Sequence, residues 1–89
     1  MRRFPLGQTV ATVGATETMR RAGINPTALL RRHASCDWGN VPPEDAKAND
    51  EALHLGERLL SSYGEGDDRL WIITESDRSA TTILRPDEY

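Results

Sequence analysis

Apolar and polar positions in the first quarter of the chain predict a short strand followed by a helix. Residues 8–13, with the sequence QTVATV, alternate polar and small apolar side chains with β-branched residues, as a strand does. Ala15, Met19 and Ala22 then fall at i, i+4 and i+7, on one face of a helix. Gly23 suits the C′ position that ends such a helix. We therefore expect a strand, a helix and a tight turn.

A second helix is predicted directly after this turn. Asn25 is a natural N-cap, and Pro26 fits the first helical position. Within this helix, Leu29, Leu30 and His33 share one face. We expect that face to pack on the rest of the protein.

Residues 42–56, with the sequence PPEDAKANDEALHLG, predict a third helix after a loop over residues 35–41. The prolines and the acids of the first turn mark its start, and Gly56 marks its end. The apolar residues form only a weak stripe. We therefore expect this helix to lie on a sheet and to expose most of its charged side chains.

The last third of the chain carries three strand patterns. They cover residues 57–63, 69–74 and 79–85. In the second pattern, Leu70 and Ile72 lie on one face, and Trp71 and Ile73 lie on the other. Both faces are apolar, so we expect this strand to be central in a sheet and covered on both sides.

Together these elements predict an α+β fold. The connections between the last three strands are short, which favours antiparallel pairing. We therefore expect N-terminal helices packed on a C-terminal antiparallel sheet of three to four strands. With 89 residues and no linker or internal repeat, residues 1–89 should form a single domain. Its core should be thin, and homodimer formation could support it.

Charge is unevenly distributed along the chain. The net charge is −3, but residues 1–40 carry six arginines and two acids, a balance of +4. Residues 41–89 carry five basic and twelve acidic residues, a balance of −7. An acidic half can mimic nucleic-acid phosphate or bind a basic partner, and it can equally be a solvated surface that keeps a small protein soluble. The acids singled out as partner contacts are Glu44, Asp45, Asp67 and Asp68.

Neither a membrane span nor a secretory signal is predicted. No stretch approaches the roughly 18 apolar residues of a span, and the arginines at the start lead into a mixed segment. The single cysteine, Cys36, excludes an internal disulfide and is typical of a reduced thiol. We expect a cytoplasmic protein that makes no membrane contact.

Two loops hold further candidate contacts. Trp38, in the loop before the third helix, can plug the edge of the core or anchor an interface, since tryptophan is enriched in binding hot spots. The turn over residues 75–79 lacks glycine, and its Asp77 and Arg78 can pair locally or reach a partner. Both alternatives stay open for each loop.

Signatures of metal or cofactor binding are absent from the sequence. His33 and His54 belong to no HxxxH or HExxH arrangement, and P-loop and GxGxxG patterns are missing, so neither a metal nor a cofactor is expected. One enzymatic alternative is a small ribonuclease toxin of the antiparallel-sheet type, with His33 as base and Arg78 stabilising the charged transition state. The negative charge of the half that carries the strands disfavours this ribonuclease alternative and direct nucleic-acid binding, because a sheet that binds RNA should be basic.

Several short motifs point to a resemblance. They are His33 followed by DWG at residues 37–39, RLLSSY at residues 58–63, and WIITESDRSATTIL at residues 71–84. With these motifs the chain resembles a family of small bacterial proteins carried on plasmids and other mobile elements. Cys36 stands where the pattern leads us to expect glycine. The resemblance implies a genetic context and not a chemistry.

The function expected from these features is binding without catalysis. Mobile elements often carry small acidic proteins that block host defence, so by analogy we expect an inhibitor such as an anti-CRISPR or anti-restriction protein. Its acidic surface would occlude a nucleic-acid site on a protein partner, with Trp38, Asp77 and Arg78 as contact anchors. The alternatives are the ribonuclease toxin and a structural or regulatory homodimer.

Overall fold

The computed structural model describes residues 2–89 and contains three α-helices and a four-stranded sheet. The elements are, in chain order, β1 (Gln8–Ala11), α1 (Val13–Ala22), α2 (Pro26–Ala34), α3 (Pro43–Leu55), β2 (Leu59–Tyr63), β3 (Leu70–Thr74) and β4 (Ala80–Leu84). Two short 3₁₀ turns, Gly66–Asp68 and Pro86–Glu88, follow β2 and β4. The predicted α+β class is confirmed.

The sheet is mixed, and the prediction of a purely antiparallel sheet is wrong. Its strands lie in the order β1-β4-β3-β2. β3 pairs with β2 and with β4 antiparallel, as their short connections require, but β1 pairs with β4 in parallel. No short connection sets the direction of β1, because every other helix and strand lies between β1 and β4 in the chain. The division into N-terminal helices and C-terminal strands is also incomplete, since β1 precedes the helices and 3₁₀ turns lie among the later strands.

Local signals set the ends of the helices. The Thr12 hydroxyl caps α1 and the Asn25 side chain caps α2, and each accepts a hydrogen bond from a backbone N–H of the first turn. Gly23 and Gly56 follow α1 and α3 with a left-handed backbone, which glycine adopts without steric cost. The predicted cap at Asn25 and the predicted ends at both glycines are confirmed.

The helices cover one face of the sheet. Leu70 and Ile72 of β3 are at most 1% exposed on this face. They belong to a cluster with Ala15, Met19, Leu29, Tyr63 and Ile83. A second cluster comprises Phe4, Leu6, Ala34, Trp38, Ala52 and Leu59. The predicted central position of β3 is confirmed, because β2 and β4 flank it.

The opposite face of the sheet is covered in part by the end of the chain. Ile73 is buried there and Trp71 is half-buried. The ring of Tyr89 meets Trp71 edge to face, with 5.7 Å between the ring centroids. The guanidinium carbon of Arg58 lies 5.4 Å from the centroid of the Tyr89 ring. The last turn therefore folds back over the β3 side chains that face away from the helices.

Candidate functional site

The loop after α2 begins with a helix-ending motif. The Cys36 N–H donates to the carbonyl of His33 at 3.0 Å, and the Asp37 N–H donates to that of Arg32 at 3.0 Å. This pair of bonds is the Schellman pattern, whose C′ residue is left-handed. Cys36 occupies that position with φ +65°. The backbone at Cys36 is therefore of the kind that favours the glycine expected there.

Trp38 lies in the core and not on the surface. Its side chain is 5% exposed and packs near Phe4 and His33, with ring centroids 6.3 Å and 5.7 Å away. Its indole N–H donates to the carboxylate of Asp50 at 2.9 Å. Trp38 is thus the plug of a core edge, and its burial does not fit a role as a surface contact.

The DWG motif also seals the outer edge of β2. The Ser62 N–H donates to the carbonyl of Trp38 at 3.0 Å, and the Asn40 N–H donates to that of Ser62 at 2.6 Å. Gly39 between them has φ +74°, and a Cβ on it would lie 2.0 Å from the Ser62 carbonyl oxygen. Only glycine permits this approach. The Tyr63 hydroxyl fixes the same loop by donating to the carbonyl of Asp37 at 2.6 Å.

Arg78 holds the turn between β3 and β4. Its backbone is left-handed, with φ +61°, where such a turn usually has glycine. Its guanidinium donates to the carbonyls of Glu57 at 2.6 Å and Glu75 at 3.2 Å. Two longer bonds of 3.4 Å reach the carbonyls of Ser76 and Ala52. Arg78 therefore ties the turn to the end of α3 and the start of β2, and its donors are committed to the fold.

Asp77 belongs to the same turn but remains accessible. Its carboxylate accepts a hydrogen bond from the Ser79 N–H at 3.0 Å. Hydrogen bonds from the side chain and the backbone of Ser79 lower the pKa of Asp77. Asp77 combines a turn-forming role with an exposed negative charge.

His33 is fully buried, with 0% of its surface exposed. Its Nδ1 lies 2.5 Å from the Ser61 Oγ, and its Nε2 lies 2.8 Å from the Thr74 Oγ1. Burial, together with the positive charge of Arg78, lowers the pKa of His33 to about 4. The ring is therefore neutral at neutral pH.

The direction of each hydrogen bond in this cluster follows from its far end. The carbonyl of Leu6 can only accept, so the Thr81 hydroxyl donates to it at 2.7 Å. Thr81 must then accept from the Thr74 hydroxyl at 2.7 Å, and Thr74 must accept from the Nε2–H of His33. The Nδ1 of His33 consequently carries no proton and accepts from the Ser61 hydroxyl. One chain of bonds thus fixes the neutral Nε2–H tautomer and links α2 to three strands and the N-terminal segment.

This arrangement does not fit the ribonuclease alternative. Phe4 contacts both predicted catalytic residues: its ring centroid lies 5.3 Å from that of His33 and 5.7 Å from the guanidinium carbon of Arg78. Both ring nitrogens of His33 are engaged inside the protein. Burial also raises the pKa of nearby Tyr63 to about 12. General acid–base catalysis needs a group within reach of the substrate, and His33 has no exposed surface.

Four of the predicted contact acids lie at one end of the sheet, in the first turn of α3 and in the 3₁₀ turn after β2. This group, termed the acidic end, consists of Glu44, Asp45, Asp67 and Asp68. Asn40, three residues before α3, bonds the end of β2 and the residue after it, which lead into the 3₁₀ turn. Its side-chain amide donates to the carbonyl of Gly64 at 2.9 Å, and its N–H donates to that of Ser62. All four carboxylates are exposed.

Ion pairs compensate the acidic end only at Asp68 among residues 2–89, although Lys47 and Arg69 lie close to it in the chain. Asp68 pairs with Arg21 at 3.1 Å, and both side chains are about half exposed. Among residues 2–89, no basic side chain forms an ion pair with Glu44, Asp45 or Asp67. Two of these carboxylates also lie at the positive end of the α3 dipole, which stabilises them there.

Most of the remaining acids of the C-terminal half are dispersed, although Glu65 directly precedes the 3₁₀ turn of the acidic end. Glu57, Glu75 and Asp77 lie at the opposite end of β3, around the β3–β4 turn. The Glu88 carboxylate accepts from the Thr12 hydroxyl at 2.7 Å beside the start of α1. The negative charge of this half therefore does not form one continuous surface, and the acidic end is its densest part.

Asn49, which stabilises the edge of the sheet, was not predicted from the sequence. Asn49 is 7% exposed, donates to the carbonyl of Leu60 at 2.8 Å and accepts from the Leu60 N–H at 3.2 Å. Its amide group thus forms with Leu60 the two hydrogen bonds that a neighbouring strand would form, and so covers the outer edge of β2 at this residue. The available signal was its position on the same helical face as Ala46 and Leu53, where a polar residue interrupts the apolar stripe.

Two further observations limit the kinds of site. Among residues 2–89, no group of three or more His, Cys, Asp or Glu side chains is placed to hold a metal ion. None of the helices described is both long and apolar enough to cross a membrane.

Comparison with protein-family models, curated proteins and solved structures found no match to this chain. Function is therefore inferred from the arrangement of the side chains.

Proposed function

We propose that the protein is a non-enzymatic inhibitor that binds a nucleic-acid-handling protein complex in the cytoplasm through its acidic end. Its proposed setting is a mobile genetic element, where it would act against a host defence system such as a CRISPR or restriction complex. The observation that carries this proposal is the acidic end itself. Asn40 bonds the stretch that leads into α3 to the end of β2, so the two acidic segments lie toward the same end of the sheet, and they expose their carboxylates with one ion pair, at Asp68.

The mechanism is occlusion of a basic surface. Exposed carboxylates on a rigid support can take the place of phosphates in a channel lined by arginine and lysine. The support is rigid because the 3₁₀ turn lies between the paired strands β2 and β3, and because Asn40 bonds the stretch before α3 to the end of β2. Complementary charge speeds association with such a channel and selects against acidic partners. In this proposal, Trp38 and Arg78 maintain the fold and do not touch the partner.

A capture experiment with two matched variants tests this proposal. The first variant, Glu44→Gln/Asp45→Asn/Asp67→Asn, neutralises the unpaired acids of the acidic end. The second, Glu51→Gln/Glu57→Gln/Glu75→Gln, removes the same charge from exposed positions elsewhere. Each tagged protein is used to capture partners from a bacterial host lysate, with and without added nucleic acid, after circular dichroism has verified folding.

We expect the wild type and the second variant to capture the same nucleic-acid-binding protein, and added nucleic acid to compete with it. The first variant should lose most of this capture, because three unpaired charges of about 0.5–1 kcal/mol each amount to at least about tenfold in affinity. Equal capture by both variants, or capture that nucleic acid leaves unchanged, would show that the acidic end is not the contact.

A further inference from the structure

The two edges of the sheet differ in how their backbone groups are satisfied. At the β2 edge, Asn49 bonds both backbone groups of Leu60, and the loop around Gly39 bonds those of Ser62. These contacts block the addition of another strand, which is a common way of protecting a sheet edge. The β2 edge is therefore closed.

The β1 edge is open. Gln8 donates its N–H to the Ser79 carbonyl at 3.0 Å, and Thr12 donates to the Ile83 carbonyl at 3.0 Å. Because backbone groups alternate in direction along a strand, those of Thr9 point away from β4, as do those of Ala11. Within residues 2–89 these groups have no hydrogen-bond partner. All four residues of β1 are exposed.

A groove runs beside this open edge, between β1 and α2. Its volume is about 540 Å³. The wall from α2 is a stripe at i, i+3, i+4 and i+7, formed by Thr27, Leu30, Arg31 and Ala34. Leu6 and Thr9 form the opposite side, and Arg2 and Ser35 complete the lining. The groove is thus partly apolar and lies next to unpaired N–H and C=O groups.

The charge of the groove is positive. Among the described residues, Arg2 and Arg31 are the charged ones that line it, and no carboxylate does. Neither arginine forms an ion pair with any other residue described. Both arginines are exposed, so an incoming carboxylate can reach either guanidinium.

We propose that this groove binds an extended acidic peptide segment of a protein partner, which adds as a strand to β1. The peptide backbone bonds the free groups of Thr9 and Ala11, and alternate side chains enter the groove. There, apolar side chains contact Leu30, and carboxylates bind Arg31 and Arg2. Strand addition joins main-chain hydrogen bonds to side-chain pockets in this way, and both features are present at one place.

Other occupants fit the groove less well. Single-stranded nucleic acid is usually held by aromatic stacking, and none of residues 2–89 that line the groove is aromatic. A second copy of the chain would offer its own β1, with the sequence Gln-Thr-Val-Ala, which brings no carboxylate to the arginines. An acidic peptide satisfies both the backbone and the charge. The groove shares no residue with the acidic end, so a failure of peptide binding here would not affect the function proposed for the acidic end.

The probe is a capped peptide of about eight residues with threonine at every second position and glutamate and valine in turn at the positions between, so that one face of the strand carries both side chains. It is compared with its counterpart in which glutamine replaces glutamate. Binding is followed by amide shifts and by hydrogen exchange of the full-length protein. We expect shifts and increased protection at Thr9 and Ala11, and about fivefold or more weaker binding of the glutamine peptide. Arg31→Gln should weaken the glutamate peptide by a similar factor, and Arg20→Gln, on the exposed face of α1, should not.

A backbone variant tests the strand addition itself. Thr9→Pro removes an N–H that has no hydrogen-bond partner among the described residues, and proline is tolerated where an edge strand faces outward. It should abolish binding, whereas Thr9→Ala should preserve it. If Thr9→Pro fails to fold, the test rests on the loss of peptide binding in Arg31→Gln and on the protection of the Thr9 and Ala11 amides in the wild type.

Three results would overturn the proposal. The first is the absence of any shift at Thr9 and Ala11 with millimolar glutamate peptide. The second is tighter binding of an oligonucleotide than of the peptide at the same residues. The third is a concentration-dependent dimer, seen by sedimentation, in which the same two amides become protected.

Discussion

At the scale of single residues, His33 determines how the buried hydroxyl groups of the sheet are hydrogen-bonded. Its neutral ring accepts from one hydroxyl and donates to another, so the polar groups at the centre of the sheet are satisfied without a charge. Such a chain is sensitive to protonation, because an imidazolium would need an acceptor at both nitrogens. The residue that looked most like a base in the sequence is therefore bound into the fold.

This position of His33 predicts a loss of stability in mild acid. Its pKa is about 4 in the folded protein, below the usual value of 6.5, so the unfolded chain binds a proton more readily. The stabilisation is complete above about pH 6.5 and falls as the pH approaches 4. Between about pH 7 and about pH 5, the free energy of unfolding should fall by about 2 kcal/mol, measured by urea denaturation.

Two histidine variants provide the comparison. His54→Gln alters an exposed residue of α3 and should keep the full pH dependence. His33→Asn should be less stable at pH 7 and should lose most of the dependence in this range. A wild type equally stable at both pH values would contradict the buried neutral histidine.

Local chemistry made the helix ends and the strand positions predictable at the scale of elements. Asn25, Pro26, Gly23 and Gly56 act on the residues beside them, so the sequence alone places them. The pairing of β1 with β4 joins residues about 70 positions apart, and nothing local encodes its direction.

The candidate site was predictable to a similar extent. The sequence marks Trp38 and His33 as unusual, but their burial depends on Phe4, which lies about 30 residues earlier in the chain. Likewise, the acidic pairs are visible in the sequence, but the bond from Asn40 to Gly64, which links the stretches that lead into them, is not. Long-range contacts decide which of the marked residues reach the surface.

The turn between β3 and β4 gives a prediction at the element scale. Arg78→Ala removes the bonds to the carbonyls of Glu57 and Glu75, and should lower the free energy of unfolding by about 2 kcal/mol. Arg78→Gly loses the same bonds but relieves the left-handed backbone, so it should be about 1 kcal/mol more stable than the alanine variant. Chemical denaturation of both variants checks the order. An alanine variant as stable as the wild type would show that these carbonyls do not depend on Arg78.

At the scale of the whole molecule, the acidic end and the positively charged groove lie in different parts of the fold. The acidic end comprises the first turn of α3 and the β2–β3 turn, whereas Arg2 and Arg31, neither of which forms an ion pair, line the groove beside β1. Because the sheet fixes both regions, the molecule presents two surfaces of opposite sign. A net charge of −3 hides this division.

The central claim is that the acidic end binds the partner by charge, and the salt dependence of the Kd tests it most directly. The measurement compares the wild type with the two charge-matched triple variants on the purified partner. Raising the salt from about 0.1 M to about 1 M shortens the Debye length from about 10 Å to about 3 Å, so wild-type binding should weaken by about tenfold or more. The Glu51/Glu57/Glu75 variant should follow the wild type, and the Glu44/Asp45/Asp67 variant should bind weakly with a shallow salt dependence. A wild-type Kd that salt leaves unchanged, or a steep dependence that survives in the Glu44/Asp45/Asp67 variant, would contradict the account.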